Sequence, residues 1–152
     1  MMKTKHTALV VVLLSSLFFA GCPGTAYHKA VIAEHDFSVT VAAFQQAEIV
    51  EFQSGRIDSA EHLKLEAGIE KVALAGQTLT SSLQSGAANT TVQQNFNTLS
   101  AAVTDLMNSG VLGVKNPTSQ QLLKVSIQTA QAILANVSTL LANQTTTTTG
   151  GK

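Results

Sequence analysis

The chain has 152 residues, a formal net charge of zero, 45% hydrophobic and only 12% charged residues, one cysteine and no tryptophan. That length suits one domain and can bury a core without cross-links, and a single cysteine excludes an internal disulfide. The neutral balance argues against nucleic-acid binding, which needs a basic patch or stripe, and no polybasic cluster offers a footing on anionic lipid.

The N-terminus opens with Lys3, Lys5 and His6, followed by an apolar stretch from Thr7 to Phe19 broken only by Ser15 and Ser16, and then by small residues Ala20 and Gly21 ahead of Cys22. A positive region, a short apolar region and a small-residue cleavage site describe a secretory signal peptide over residues 1–21. The apolar run is short of the roughly 18 residues of a membrane span. Phe19-Ala20-Gly21-Cys22 resembles the lipobox of bacterial lipoproteins. The resemblance covers the first 22 residues and departs from the family at Phe19, where leucine is most common. It implies that Phe19, Ala20 and Gly21 are read by the signal peptidase and that Cys22 carries a diacylglyceryl group on its sulfur. It also implies that Cys22 becomes the new N-terminus, with an amino group open to acylation by a fatty acid such as palmitate. In Gram-negative members an aspartate after the cysteine commonly marks inner-membrane retention. Pro23 stands there, so the resemblance implies a cell-envelope protein, at the outer membrane facing the periplasm if the organism has one. Read from the residues alone, Cys22 could instead be an incidental thiol behind an ordinary signal, or the whole segment an uncleaved anchor. Two or more acyl chains anchor stably where one does not, so a lipidated Cys22 would set the location by itself.

From Cys22 onward there are seven basic and nine acidic residues, a formal charge of −2. Residues 22–26 form a short tether; the four from Pro23 to Ala26 span at most about 14 Å. Tyr27 to about Gln53 predicts a first helix, with Phe37, Val41, Phe44 and Glu48 on one stripe and Val31, Ile49 and Phe52 widening it. Glu34, Asp36 and Glu51 interrupt that face. Gly55 suits a left-handed C-terminal cap. Asp58 and Glu61 predict a capping box, and a second helix follows to about Leu83. Its Leu65, Ile69, Val72, Gly76, Leu79 and Leu83 step 4, 3, 4, 3, 4 like a heptad seam, in which Gly76 is expected to admit a close helix neighbour.

Asn89 or Thr90 is expected to cap a third helix running to about Ser109, with Val92, Phe96, Leu99, Val103 and Leu106 in the same rhythm. Asn116-Pro117 opens a fourth, proline being tolerated in a first turn; Leu123, Ile127, Ala130, Leu134, Val137 and Leu141 repeat the steps, and Leu122, Ile133 and Leu140 broaden the face. Residues 144–152, rich in threonine and glycine, predict a disordered tail. The expected fold class is all-α: a small up-down bundle of about four helices over residues 27–143.

Charge is uneven. Cys22–Gln84 holds four basic and eight acidic residues, Ser85–Lys152 three basic and one acidic. The second half is either simply solvated by neutral polar groups or packs against a partner. No residue set for catalysis emerges. A di-iron bundle needs Glu-x-x-His motifs, which are absent from the sequence. His28 and His35 are two turns apart, too far for both to grip one ion easily. Glu48 with Glu51, and Glu66 with Glu70 near His62 and Lys71, share helix faces, which predicts a solvated surface with local ion pairs. There is no nucleophile elbow, P-loop or dinucleotide fingerprint. No cofactor and no metal site are expected, and a lipidated Cys22 leaves no thiol nucleophile. The sequence therefore predicts a non-enzymatic, membrane-anchored envelope lipoprotein serving as a structural or protein-interaction module. Its partners would be the membrane, through lipid on Cys22, and a protein or second copy met through the helices, with no nucleic acid. The alternative is a binding protein that holds a small apolar ligand between helices, near Phe37, Phe44 and Phe96. Tyr27 suits either a membrane interface or N-terminal packing.

Overall fold

In the computed structural model, residues 26–147 have described backbone, and side chains are described for residues 28–142. The first helix, α1 (Ala26–Gln53), buries Ala30, Glu34, Phe37, Val41, Phe44, Glu48 and Glu51. Those positions step 4, 3, 4, 3, 4, 3, the period that keeps one stripe facing a neighbouring helix. The chain then reverses at Gly55, whose φ of 71° is the left-handed conformation that lacks a Cβ penalty only in glycine. Gly55 N–H bonds to Phe52 O, and Arg56 N–H to Glu51 O, so two end carbonyls of α1 are satisfied in a Schellman turn.

Helix α2 (Ser59–Gln84) starts at the expected capping box: Asp58 Oδ1 accepts from the Ala60 and Glu61 amides, and Glu61 Oε2 accepts from the Asp58 amide. All six positions of the expected α2 seam are buried. A second Schellman turn at Gly86 (φ 65°) ends the helix. Helix α3 (Asn89–Asp105) buries Val92, Phe96, Leu99 and Val103. Its cap is Ala88, with no side-chain hydrogen bond, so Asn89 and Thr90 lie inside the helix and do not cap it.

The third helix also ends sooner than its sequence predicts. Past Asp105 the coil widens into a π turn (Leu106–Gly110) in which Val111 N–H reaches Leu106 O, and then tightens into a 3-10 turn (Val111–Gly113). The widening turns Leu106, Met107, Gly110 and Val111 all inward. Gly110 lets these side chains pack closely: a Cβ there would stand 3.1 Å from Leu65 Cδ2 and 3.2 Å from Leu106 Cδ1, tighter than an ordinary contact.

Helix α4 (Pro117–Thr147) begins where Asn116 Oδ1 accepts from the Thr118 and Ser119 amides. The expected stripe from Leu123 to Leu141 is buried throughout. The helix passes Asn143, so Gln144–Thr147 are helical rather than a disordered tail: an established helix gains one hydrogen bond for each residue it adds. The rest of the tail lies outside the described residues.

The four helices alternate in direction. α1 packs along α2 and α4, and α3 along α2 and α4. The result is an all-α up-down bundle with no strand among the described residues. Its core is continuous, and Ile57 and Val114 from two connections close one end.

Candidate functional site

Two polar features depart from an ordinary apolar bundle core. Both are built on the α1 seam, where Glu34, Glu48 and Glu51 are only 6%, 0% and 4% exposed. The expectation of a solvated carboxylate face at Glu48 and Glu51 is therefore corrected. Both continue the stripe set by Phe37, Val41 and Phe44, and that stripe faces the core.

The first feature lies at the end of the bundle where α1 meets α2 and where α4 begins. The Arg56 guanidinium forks onto Glu51, Nε to Oε2 at 2.5 Å and Nη2 to Oε1 at 2.6 Å, and the hydroxyl of buried Ser119 donates to Glu51 Oε2 at 2.6 Å. The Arg56 bonds, aided by Ser119, hold the Glu51 carboxyl below its ordinary range against the opposing effect of burial. Glu61 Oε1 accepts from the Lys115 amide at 2.8 Å, while Lys115 Nζ sits 2.6 Å from Asp58 Oδ2. Lys115 first, and then the Glu61 amide, pull Asp58 down, and Asp58 in turn raises Lys115. Residues far apart in sequence are thereby clasped: α1 to α4 through Glu51–Ser119, and the α2 cap to the α3–α4 connection through Glu61–Lys115.

Beside this clasp, His62 Nδ1 lies 2.6 Å from Glu48 Oε1, and its Nε2 3.7 Å from Glu66 Oε2. The ring stacks on Phe52, with centroids 3.9 Å apart and planes inclined by 8°. Glu48 Oε2 is buried with no hydrogen-bond partner. A histidine with a carboxylate at each nitrogen resembles part of a catalytic relay, but no hydroxyl or thiol stands next to it among its described partners. Ser119, the buried hydroxyl of this end, already donates to Glu51. The groups here hold one another, which suits a structural clasp better than proton transfer.

The second feature is a groove of about 600 Å³ between α1 and α2, lined by Glu34, Phe37, Ser38, Val41, Val72, Ala73, Gly76, Gln77, Thr80 and Ser81. Gly76 was expected to mark a close helix approach. It does not: a Cβ there would stand 3.9 Å from both Glu34 Oε1 and Phe37 Cε1, an ordinary contact. The close approach belongs to Gly68, where a Cβ would come within 2.7 Å of Leu106 Cδ1. All three phenylalanines expected around a ligand are packed in the core, and of them Phe37 alone also borders the groove.

Cys22, Phe19, Ala20 and Gly21 lie outside the described residues, as does the Tyr27 side chain. His28 and His35 are exposed on α1. Among the described residues no group of three or more His, Cys, Asp or Glu side chains is placed to hold a metal ion. Extending the α1 stripe by its own 4, 3 rhythm would have found Glu34 and Glu51; nothing in the sequence signals that Lys115 meets Glu61. No protein-family model, no curated protein and no solved structure matches the chain.

Proposed function

We propose that this protein is a lipid-anchored lipoprotein of the bacterial cell envelope whose helical bundle serves as a non-enzymatic structural or interaction module. The observation that carries the reading is Phe19-Ala20-Gly21-Cys22, which closes a basic and then apolar segment four residues ahead of α1. Acyl chains on Cys22 hold the protein at the membrane, at the outer membrane if there are two. Helix α1 is 28 residues long, about 40 Å at 1.5 Å per residue. The Glu51–Arg56–Ser119 clasp then stands at the end away from the tether.

Interaction is supported by the surface chemistry of α3 and α4, which are neighbours in the bundle. Asp105 is the one charged residue of α3 and Lys124 the one charged residue of α4. Exposed Val125, Ala132 and Ala135 lie among neutral Gln121, Gln128 and Thr139. Such a face meets a partner without having to strip water from charges. The Cys22→Ala variant tests the anchor: the protein should leave the membrane fraction and accumulate in soluble or unprocessed form. Equal membrane retention of variant and wild type would overturn the reading, as would an intact mass showing native residue 22 unmodified.

The groove between α1 and α2 favours a second reading, in which the bundle holds a small ligand between its helices. Its volume falls within the several hundred Å³ usual for small-molecule sites.

A further inference from the structure

The groove between α1 and α2 has an acidic floor. Glu34 is 6% exposed, and among the described residues its one hydrogen-bond partner is Ser38, whose hydroxyl donates to Oε1 at 3.1 Å. Among the described residues no lysine, arginine or histidine is within ion-pair distance of it, although the other buried carboxylates of the α1 seam each face a basic side chain, His62 for Glu48 and Arg56 for Glu51. The neighbouring hydroxyls have already committed their protons to helix carbonyls: Thr80 Oγ1 donates to Gly76 O, and Ser81 Oγ to Gln77 O. What they still offer is lone pairs. Among the described residues the polar lining, apart from the Gln77 amide, therefore accepts hydrogen bonds, and its one charge is negative.

The other wall is apolar. Phe37, Val41 and Val72 line the groove along α1 and α2. Glu34 and Val41 are two turns apart on α1, about 10 Å along its axis. A carboxylate at one end and an aliphatic–aromatic track beside it complement a molecule with a cationic head and a short hydrocarbon body. An ammonium group supplies three donors and no acceptor, which matches the lining. A neutral apolar molecule would leave Glu34 desolvated and uncompensated.

We propose that this groove binds a small primary-ammonium compound, with its head on Glu34 and its alkyl body along Phe37, Val41 and Val72. The inference rests on the second reading above, a ligand held between the helices, and is independent of the anchor at Cys22.

The test uses the full chain in non-ionic detergent, titrated with n-hexylammonium, and with 1-hexanol as the uncharged isostere. Backbone amide NMR shifts are followed at Phe37, Ser38, Gly76 and Thr80. Hexylammonium should give saturable shifts confined to these groove residues, and hexanol should bind at least about tenfold more weakly, the range expected when a charge-assisted hydrogen bond is lost. Glu34→Gln keeps the shape and should lose the same factor for hexylammonium while leaving hexanol unchanged. Gly76→Leu, which fills the groove, should abolish both. Melting curves of the variants show whether the fold is retained. Equal binding of hexanol and hexylammonium, or an unchanged affinity in Glu34→Gln, would overturn the ammonium assignment and leave the groove as an apolar site. Absence of localised shifts with either probe would overturn the assignment and the ligand-holding reading together. Tighter binding of an acetylated, amidated lysine peptide than of hexylammonium would give the groove to a protein partner and likewise defeat the proposal.

Discussion

Gly68 and Gly76 sit eight residues apart in α2, and substitution by alanine should move stability in opposite directions. Alanine is favoured over glycine in a helix interior by about 0.8–1 kcal/mol, and both positions would collect that gain. At Gly76 the added methyl finds its nearest neighbours at 3.9 Å, so nothing has to move. Gly76→Ala should therefore be about 1 kcal/mol more stable than wild type, a rise of roughly 3–6 °C in Tm for a domain of this size. At Gly68 the methyl would arrive 2.7 Å from Leu106 Cδ1. Leu106 cannot step aside freely: it is 1% exposed, so its Cδ1 can move only against other core side chains. Overpacking a filled core costs about 1–3 kcal/mol, which outweighs the helix term and leaves Gly68→Ala about 0–2 kcal/mol less stable. The two variants should thus differ by about 1–3 kcal/mol. Urea titration followed by circular dichroism, with unchanged m-values, measures this directly. If Gly68→Ala proved as stable as Gly76→Ala, the account of where α2 approaches the π turn most closely would be wrong.

Three further outcomes follow from the clasp and from the histidine beside it. Ser119→Ala removes a buried donor to a charged carboxylate and should cost about 1.5–3 kcal/mol, read by the same denaturation. Acid titration has a defined sign: Glu51 and Asp58 bind protons less readily folded than unfolded, so their contribution is complete above the unfolded carboxylate range and is lost as pH falls below about 4. Arg56→Met and Lys115→Met should each flatten that acid limb of the Tm–pH curve, and unaltered limbs would contradict the assigned partners. Glu48→Leu strands His62 Nδ1, and His62→Phe strands a buried carboxylate. The double variant removes both and keeps an aromatic ring against Phe52, so it should return to within about 1 kcal/mol of wild type. A double-mutant cycle showing simple additivity would mean that Glu48 and His62 do not depend on each other.

The helical scaffold was legible because its signals are local. Leu65 to Leu83 and Leu123 to Leu141 repeat a period that only a helix keeps on one side, and Asp58 with Glu61 writes a helix start within four residues. The π turn was not legible, because it depends on how Leu65 and Leu106 meet over Gly110, a contact across two helices. The carboxylates were half legible. Glu48 fell on the α1 stripe, yet Glu48 and Glu51 read as a solvated pair, since ionised groups are rarely buried without partners and the partners cannot be seen locally. Arg56 is five residues from Glu51, but Ser119 is 68 residues away and reaches it only through the α1–α4 packing.

Glu34 is the seam carboxylate that the fold does not explain, and its removal separates structural from functional roles. Glu51 is held by a guanidinium fork and a hydroxyl, and Glu48 by an imidazole; among the described residues Glu34 has the Ser38 hydroxyl alone. A buried carboxylate without a cation costs stability, because its desolvation is not repaid by an ion pair. Leucine at the same seam position would pack against Phe37 and Val72 and continue the apolar stripe. If Glu34 serves the fold, Glu34→Leu should destabilise the protein, as loss of a clasp residue would. If it serves a ligand, the variant should be as stable as wild type or about 1 kcal/mol more stable, the usual trade between a strained site and the scaffold that carries it. Denaturation of the unliganded full chain distinguishes the two: a loss above about 1 kcal/mol would make Glu34 structural and remove the reason to see a binding site in this groove.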